Sequence, residues 1–486
     1  MTVIGGGLAG LSSAVALADA GIRVRLLEKR PYLGGRATSY QLPDGSQIDN
    51  CQHVTLGCCT NLADFYRRVG AAGKIRFYDR LFFADRNGER FAIGASPLPP
   101  PLHIAPAFLR FGALAFRDKR GIARALMHIA VHGGRPPGVA GMSMLSWLHR
   151  LRQTPDAIER FWRVVLVSAL DEELSQTEAQ YGIDVFWKAF LANRRGFEVG
   201  IPVVPLSALY DGCRDAIERR GGEVKLRAVV RGICVSGNSV VSLALDDGVE
   251  SRDNTYILAV PHDAVVELLP PAVLDSEPSL AGLRHLRSAP ITGVHFWFDR
   301  PVMREPFLTL LDHTVQWIFN KSALYSQAAE TGSASKSSRE GNGDAAEDQA
   351  GQYLQLVISA SYDLVQRSRQ QIIDLCRREL QDVLPESGKA RLLKATVVKE
   401  IAATFSPEPG SDQWRPIART PVHNLFLAGD WTRTGWPATM EGAVRSGYRA
   451  AEAVLELAGR PCKLVVPDLH VGGFCRLWSR ELANGA

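Results

Sequence analysis

A glycine fingerprint near the start of the chain constrains its fold more than any other feature; it has the G-x-G-x-x-G spacing and consists of Gly5, Gly7 and Gly10. The apolar pair before it predicts the end of a short strand, and the Ala- and Leu-rich run 11–20 predicts a helix. A second strand is predicted over 22–27, and Glu28 ends it. Strand, helix, strand and acid in this order predict a dinucleotide-binding unit. A Gly-rich loop in an Ala-rich helical protein would leave Glu28 unexplained.

Each of these residues has a mechanical role in such a unit. Gly5 allows a tight turn, Gly7 lets a pyrophosphate approach the backbone, and Gly10 lets the helix pack closely on the strand. The helix N-terminus presents free N–H groups to the phosphates, and Glu28 can accept hydrogen bonds from ribose hydroxyls. The predicted nucleotide contacts in this region are Gly5, Gly7, Leu8, Ala9, Gly10, Glu28 and Lys29.

A second glycine pair, Gly34-Gly35, follows soon after the acid. Taken alone it indicates a turn, but its position favours a second contact with the same cofactor. The next residue, Arg36, has a guanidinium that can reach a phosphate.

The C-terminal region carries another cofactor motif, in which an apolar strand ends in Gly429-Asp430 and a helix is predicted to begin near Thr439. Asp430 can hydrogen-bond a sugar-alcohol hydroxyl. The helix start, with Thr439 and Met440, can face the electron-rich end of a flavin ring. Because both ends of the chain then contact one cofactor, the domain that binds it must be discontinuous in sequence.

Composition and charge restrict the class of protein. A chain of 486 residues is too long for one core, and its 46% hydrophobic and 22% charged residues are typical of soluble globular proteins. The net charge of +5 gives no strong case for nucleic acid but is compatible with weak attraction to an anionic membrane. The eight cysteines show no C-x-x-C spacing, so we expect free thiols in a reducing cytosol and no metal site. We also expect neither a signal peptide nor a transmembrane helix.

Two apolar stretches, 102–116 and 122–131, have basic residues beside their apolar positions. An apolar stripe with basic edges suits a helix that lies on a membrane surface. Most amphipathic helices instead face their own core, and this alternative is slightly favoured. The basic residues concerned are Arg110, Arg117, Lys119, Arg120 and Arg124.

Composition also suggests the domain boundaries. The run 326–348 is too poor in apolar residues to order itself, so we expect a disordered loop over about 325–350, inserted in a hairpin. The cofactor domain is assigned to 1–75, 196–265 and 395–460, the substrate domain to 76–195 and 266–394, and a C-terminal tail to 461–486.

Together these segments resemble the amine oxidase and phytoene desaturase type of FAD oxidoreductases. The matching pieces, in order, are 5–10, Glu28, 34–36, the strand at Val230, 428–430 and 440–443. The resemblance implies an α/β fold: a doubly wound, Rossmann-type FAD-binding domain, discontinuous in sequence, and a mixed α+β substrate domain. It implies FAD as cofactor, with further contacts from Gly35, Arg36, Val230, Gly429, Asp430, Thr439 and Met440.

Within that group the chain is similar to the hydroxysqualene dehydroxylases. The similarity is carried by 49–54, 56–58, 67–70 and 432–437, although that family usually has Gly where this chain has Cys51. It implies that reduced FAD transfers hydride to hydroxysqualene and gives squalene, in hopanoid or squalene biosynthesis. It also implies an apolar C30 isoprenoid substrate and other enzymes of that pathway as partners. The expected location is the cytoplasm, with peripheral contact at the inner face of the cell membrane.

The implied reaction needs help for the departing hydroxyl. The alcohol carbon is allylic, so loss of water leaves a stabilised cation, and a general acid would assist that loss. His53 is the first candidate for this acid and Gln52 for a group that positions it; alternatively, both hold the flavin loop. Trp436 either lines the flavin pocket or belongs to the core.

Three other functions fit parts of the sequence. An oxidative isoprenoid desaturase of the phytoene type would use the same fold with oxidised FAD and an electron acceptor. An amine oxidase would need a polar, aromatic pocket for a small cation, whereas 100–131 favours an apolar ligand. A flavin-free isoprenoid escort protein would have lost the flavin, and the motifs at 429–430 and 439–440 argue against that loss.

Overall fold

A parallel sheet contains segments from both ends of the chain. The computed structural model describes residues 1–248, 250–330 and 351–476 of the chain. In spatial order its five strands are Glu223–Leu226, Arg25–Glu28, Thr2–Ile4, Tyr256–Leu258 and Leu425–Leu427. Numbered along the chain this order is 3-2-1-4-5, so it reverses beside the first strand, as in doubly wound sheets. Val3, Leu26 and Ile257 are in register on adjacent strands and fully buried, as strands covered on both faces require.

Two long helices from opposite ends of the chain, Leu8–Asp19 and Met440–Leu457, pack against each other beside this sheet. A Cβ on Gly447 would lie 2.1 Å from Ser12 Oγ, so their close approach requires glycine there. The Ser12 hydroxyl also donates to the Val444 carbonyl at 3.4 Å. The first and last parts of the chain therefore form one unit.

A second, mostly antiparallel sheet has seven strands. In spatial order they are Leu392–Phe405, Ser288–Phe298, Gln352–Ile358, Trp317–Asn320, Phe307–Leu310, Arg80–Ala84 and Arg90–Gly94. One face packs on helix Arg369–Val383, and the other packs on a layer of helices from the middle of the chain. With the parallel sheet this confirms the predicted fold class, an α/β cofactor domain joined to an α+β substrate domain.

The helical layer consists mostly of short helices. They are Ala105–Arg110, Phe116–Val131, Met144–Arg150, Val164–Leu170 and Ala179–Val185, with π-helical turns at Ile158–Arg163 and Phe186–Leu191. Aromatic rings pack at its centre, where Trp162 and Phe186 lie edge to face with centroids 4.5 Å apart. Within the described ranges, no helix is both long enough and apolar enough to cross a bilayer.

Smaller elements complete the described fold. Three short sheets are antiparallel. The first pairs Ser39–Gln41 with Gln47–Asp49, and the second contains Thr55–Leu56, Val199–Pro202 and Ile75–Tyr78. The third contains Val230–Ser236, Ser239–Leu245 and Glu250–Ser251. Further helices are Thr60–Arg68, Asp211–Glu218, His262–Leu268 and Lys321–Glu330.

The predicted boundaries of one strand were wrong. The strand predicted over 22–27 spans Arg25–Glu28, because pairing with the first strand starts only at Arg25, opposite Thr2. Helix Asp211–Glu218 is preceded by a 3-10 segment, Leu206–Tyr210.

The apolar stretch 102–116 does not form one helix. Helix Ala105–Arg110 occupies its middle, and a second helix, Phe116–Val131, begins where the Asp118 carboxylate accepts the Ala115 amide at 3.1 Å. A single acidic residue inside the basic run therefore starts a new helix.

The disordered loop predicted over about 325–350 is helical in its first part. Helix Lys321–Glu330 covers 325–330, and the rest of the predicted loop, 331–350, lies outside the described residues. The strands on either side, Trp317–Asn320 and Gln352–Ile358, pair antiparallel, as an insertion into a hairpin requires.

Candidate cofactor and substrate site

A cavity of about 540 Å³, here called the cofactor cavity, opens at the carboxyl ends of the parallel strands, where the strand order reverses. All predicted cofactor contacts except Gly10 line it: Gly5, Gly7, Leu8, Ala9, Glu28, Lys29, Gly35, Arg36, Val230, Gly429, Asp430, Thr439 and Met440. Gly10 lies behind the cavity wall, where its Cβ would fall 1.9 Å from the Gly5 carbonyl oxygen. It therefore allows the close helix packing predicted for it and makes no direct contact with the cavity.

The glycine turn leaves backbone open to the cofactor cavity. Gly5 has φ +108°, and a Cβ there would lie 2.3 Å from the Ala259 carbonyl oxygen. A Cβ on Gly7 would meet nothing nearer than Gly35 Cα at 3.9 Å. No side chain caps the helix that follows Gly7, so its first N–H groups can bind an anion.

The Glu28 carboxylate lies beside this turn and is oriented by the backbone. Oε2 accepts the Gly6 amide at 2.6 Å, and Oε1 accepts the Arg30 amide at 2.7 Å. Each carboxylate oxygen has a second lone pair, so Glu28 can still accept a hydrogen bond from a ribose hydroxyl. That contact stays a prediction.

An ion pair joins Arg36 and Asp430 in the wall of the cofactor cavity. Arg36 Nη2 donates to both Asp430 carboxylate oxygens at 2.9 Å, and Arg36 Nη1 donates to the Ala403 carbonyl at 2.6 Å. A guanidinium has five N–H donors, so the predicted phosphate contact of Arg36 stays a prediction. The pair joins the N-terminal loop to the end of strand Leu425–Leu427.

Arg415, which the sequence reasoning missed, shapes the C-terminal wall of the cavity. This guanidinium is fully buried and donates to the carbonyls of Thr432 at 2.6 Å and Trp436 at 2.8 Å. These bonds fold the segment that precedes the C-terminal helix. Thr439 caps that helix by accepting the Gly442 amide at 3.0 Å.

These donors and acceptors fit FAD. The N-termini of two helices reach the same cavity, and each directs the positive end of a helix dipole towards it. A carboxylate suited to ribose lies beside the first helix, and the cavity volume falls in the range of roughly 300–1,000 Å³ common for ligand sites. The fold and this set of hydrogen-bond donors and acceptors therefore both indicate FAD as the cofactor.

A buried ion pair orders the loop that follows strand Gln47–Asp49. Lys321 Nζ lies 2.7 Å from both Asp49 Oδ2 and Gln52 Oε1, and neither charged side chain is exposed. Burial acts to raise the pKa of Asp49, but the Lys321 charge and the hydrogen bonds outweigh it, so the pKa lies below its ordinary value. Gln52 also donates to the His53 carbonyl at 3.2 Å, which makes it a residue that positions the loop.

His53 lines the cofactor cavity in a state that does not suit a general acid. Its Nδ1 lies 3.0 Å from the Cys51 carbonyl, which can only accept, so Nδ1 carries the hydrogen and Nε2 has a free lone pair. Burial lowers the pKa of His53, and the carbonyl contact and the Asp49 charge offset this only in part. A neutral imidazole can accept a proton at Nε2 but has none to spare.

Asp171, which the sequence reasoning also missed, lines the same cavity. It has φ 56° at the end of helix Val164–Leu170; its carboxyl accepts the Ala360 amide at 2.8 Å and lies 3.0 Å from Thr404 Oγ1. Burial raises the pKa of Asp171 well above its ordinary value, although these hydrogen bonds oppose the shift. Asp171 was missed because three consecutive acidic residues, 171–173, are typical of a turn exposed to solvent.

A second, apolar cavity of about 150 Å³ lies in the helical layer. Helix Val164–Leu170 separates it from the cofactor cavity: Val164 and Val165 face the apolar cavity, whereas Ser168 and Ala169 face the cofactor cavity. Its wall is apolar except for Arg160, and its aromatic members are Phe83, Phe108, Phe111, Phe161, Phe186 and Phe190. An apolar chain is the kind of ligand such a wall accepts.

Two other residues singled out in the sequence have structural roles. Trp436 packs with Cys58 and Ala189 and is not among the residues that line the cofactor cavity, so it belongs to the core. Cys51 is not among the described non-glycine residues with positive φ, so this backbone position does not require glycine. Its thiol is buried, which raises its pKa.

Comparisons with known proteins give matches over almost the whole chain. The family model for flavin-containing amine oxidoreductases matches residues 8–455. The chain is 29% identical over 485 residues to a 15-cis-phytoene desaturase of Solanum lycopersicum, covering 95% of this chain and 79% of that protein. It is 27% identical to a 15-cis-phytoene desaturase of Synechococcus elongatus, covering 94% and 95%. A solved structure of an oxidoreductase from Methanosarcina mazei has a TM-score of 0.70 at 18% identity, covering 94% of this chain and 99% of that one.

Proposed function

The chain belongs to the flavin-containing amine oxidoreductase family, and we propose that it removes hydrogen from a linear, apolar isoprenoid with FAD as its cofactor. The observation that carries this proposal is the pair of cavities on either side of helix Val164–Leu170. One cavity is built for a dinucleotide and the other for an apolar chain. Similarity to phytoene desaturases over almost the full length supports desaturation over the hydroxysqualene reduction that the sequence motifs suggested.

The chain's own residues then bind and orient the cofactor and the substrate, and they exclude water. Bound FAD supplies the two-electron chemistry. The N-termini of two helices bind its anionic groups, and the Arg36–Asp430 pair closes the wall between them. The apolar cavity excludes water from the substrate chain, and Asp171 and His53 are two of the titratable groups that line the cofactor cavity.

Hydroxysqualene reduction remains a second candidate because one observation favours it. Loss of a hydroxyl needs a proton donor, and the Asp171 carboxyl, whose pKa burial raises, can supply one. The loop that resembles that of the dehydroxylases also lines this cavity, through residues 50–54. This candidate uses the same cavities with the opposite direction of electron flow.

Product analysis separates the two directions. Purified protein with FAD is incubated either with phytoene and a quinone, or anaerobically with hydroxysqualene and pre-reduced FAD, and products are identified by mass spectrometry. We expect a desaturated product in the first incubation. Squalene in the second incubation alone would replace desaturation with reduction, and no turnover in either would contradict an isoprenoid oxidoreductase. A colourless protein without flavin absorption would favour an escort protein.

We also propose that the protein binds a membrane surface beside the apolar cavity. Helix Phe116–Val131 buries Ile122 and Ile129 against its own domain, which fits the core-facing alternative, but its other face is exposed. Phe116 is 75% exposed, and Met127, 43% exposed, also lines the apolar cavity. Exposed basic residues surround this face: Arg110, Arg117, Arg120 and Arg124.

Vesicle flotation tests this surface. The wild-type protein should float with vesicles that contain anionic lipid, and Phe116→Ser should reduce the bound fraction severalfold. Ile401→Ser is the matched control, because Ile401 is also exposed (61%) but lies on the long strand of the seven-stranded sheet. Equal binding by the wild type and Phe116→Ser would remove this part of the proposal.

A further inference from the structure

We propose that Asp171 is the residue that exchanges a proton with the substrate, a role that rests on the proposed function because it lies in the same cavity. Asp171 directly follows helix Val164–Leu170, which separates the apolar cavity from the cofactor cavity. Asp171 lines the cofactor cavity with Ser168 and Ala169 of that helix, whereas Val164 and Val165 line the apolar cavity. A substrate chain that spans both cavities would therefore run past this end of the helix, beside the Asp171 carboxyl.

The backbone and two distant segments fix the Asp171 carboxyl in place. Its left-handed conformation, φ 56°, is one that aspartate tolerates better than most residues. Oδ1 accepts the Ala360 amide at 2.8 Å, and Oδ2 lies 3.0 Å from Thr404 Oγ1, which also lines the cofactor cavity. An anchored carboxyl with one oxygen beside a hydroxyl can pass a proton without moving.

The charged and titratable groups around Asp171 come from four elements. Glu172, on the same turn, opposes its ionisation, and Arg36 favours it. The Glu172 carboxylate is itself bound by Tyr362 Oη and Ser406 Oγ, each at 2.6 Å. The Cys51 thiol interacts with the Asp171 carboxyl from the loop on the other side. Arg36 also forms an ion pair with Asp430, so its positive charge does not act on Asp171 alone.

The proton transfer balances in the proposed desaturation. One carbon of the substrate loses hydrogen with its bonding electrons to oxidised FAD, and the adjacent carbon loses a proton to the ionised Asp171 carboxylate. The electrons of the second C–H bond form the new carbon–carbon double bond. The substrate is oxidised by two electrons, the cofactor is reduced by two, and Asp171 later releases its proton to water.

The pH profile of Asp171→Asn tests this role. If the ionised carboxylate accepts the proton, kcat/KM with phytoene rises with pH through the pKa of Asp171. We expect this rise above the ordinary range of an aspartate pKa, which is about 4. Asn suits the left-handed backbone and keeps an acceptor for Ala360, so the fold should survive. We expect a loss of about 10²–10⁴-fold and disappearance of this limb. A variant within about threefold of the wild type would overturn the proposal.

Asp184→Asn is the matched control. Asp184 is also buried, and burial raises its pKa too, but it pairs with Arg135 and is not among the residues that line either cavity. The control should keep the rising limb. If kcat/KM with phytoene instead falls with pH through the same pKa in the wild type, the ionised carboxylate is not the proton acceptor and the proposed role of Asp171 is overturned.

Infrared spectroscopy gives a readout that needs no turnover. In a pH titration of the wild-type holoprotein, one protonated-carboxyl component should persist above the ordinary range of aspartate; it should be missing from Asp171→Asn and remain in Asp184→Asn, with equal flavin content in all three. Absence of this difference would overturn the assignment. A protein that shows the difference but converts no isoprenoid supports Asp171 as a proton-holding residue while contradicting the proposed function.

Discussion

Lys321 and Asp49 form an ion pair without exposed side-chain surface. Replacing Lys321 by Met leaves an unpaired carboxylate in the core, and we expect the free energy of unfolding to fall by about 3–5 kcal/mol. Adding Asp49→Asn removes that stranded charge and should restore most of the loss. Urea unfolding at saturating FAD, followed by tryptophan fluorescence, measures the single and double variants.

A surface pair provides the control for this prediction. Lys394 also pairs with an aspartate, Asp44, but their side chains are 28% and 53% exposed. Lys394→Met should therefore cost less than about 1 kcal/mol. Similar losses for Lys321→Met and Lys394→Met would contradict the argument from burial.

The roles of single residues were also the part of the site that sequence reasoning predicted least completely. Glu28 was identified because the fingerprint fixes its distance from the glycines. Asp171 was missed because its burial comes from Ala360 and Thr404, far away in the sequence, and nothing in the run 171–173 shows this. The same limit applies to His53, whose cavity position was expected but whose tautomer depends on the Cys51 carbonyl.

At the scale of elements, Arg415 holds the segment between the last parallel strand and the C-terminal helix. Arg415→Lys should raise the Kd for FAD at least about tenfold, because lysine cannot donate to several carbonyls in one fixed plane. Titration of apoprotein with FAD, followed by quenching of flavin fluorescence, measures this. Arg419→Lys, at an exposed pair with Glu456, should leave the Kd unchanged. An unaltered Kd in Arg415→Lys would show that the segment orders without this guanidinium.

Elements with a strong local cause were predictable from sequence. The first strand, turn and helix follow from the glycine spacing, and Asp44-Gly45, a dipeptide typical of hairpins, lies between two paired strands. The stretch 102–116 was misjudged because its periodicity gives no sign of the break after Ala105–Arg110. There a Cβ on Gly112 would fall 2.9 Å from the Phe91 ring, so the chain beyond the helix packs closely on a distant strand.

At the scale of the whole molecule, the meeting of the two chain ends was predictable because each end carries half of a cofactor motif. The Arg36–Asp430 pair and the contact between Ser12 and Val444 show how that meeting is made. The two-cavity arrangement was not predictable, because it arises from which side chains of helix Val164–Leu170 face each way.

The insertion between Trp317–Asn320 and Gln352–Ile358 tests which parts of the chain this architecture needs. Replacing 331–350 by a short Gly/Ser linker should leave flavin content and the urea midpoint unchanged, because its composition cannot bury much apolar area. Removing 321–350 should lower both, since Lys321 and the Tyr325 hydroxyl, 3.1 Å from Asp49, are then lost. Flavin absorption and urea unfolding compare the two variants. Loss of flavin after the first replacement would show that 331–350 contributes to the folded protein, so that composition alone misjudged it.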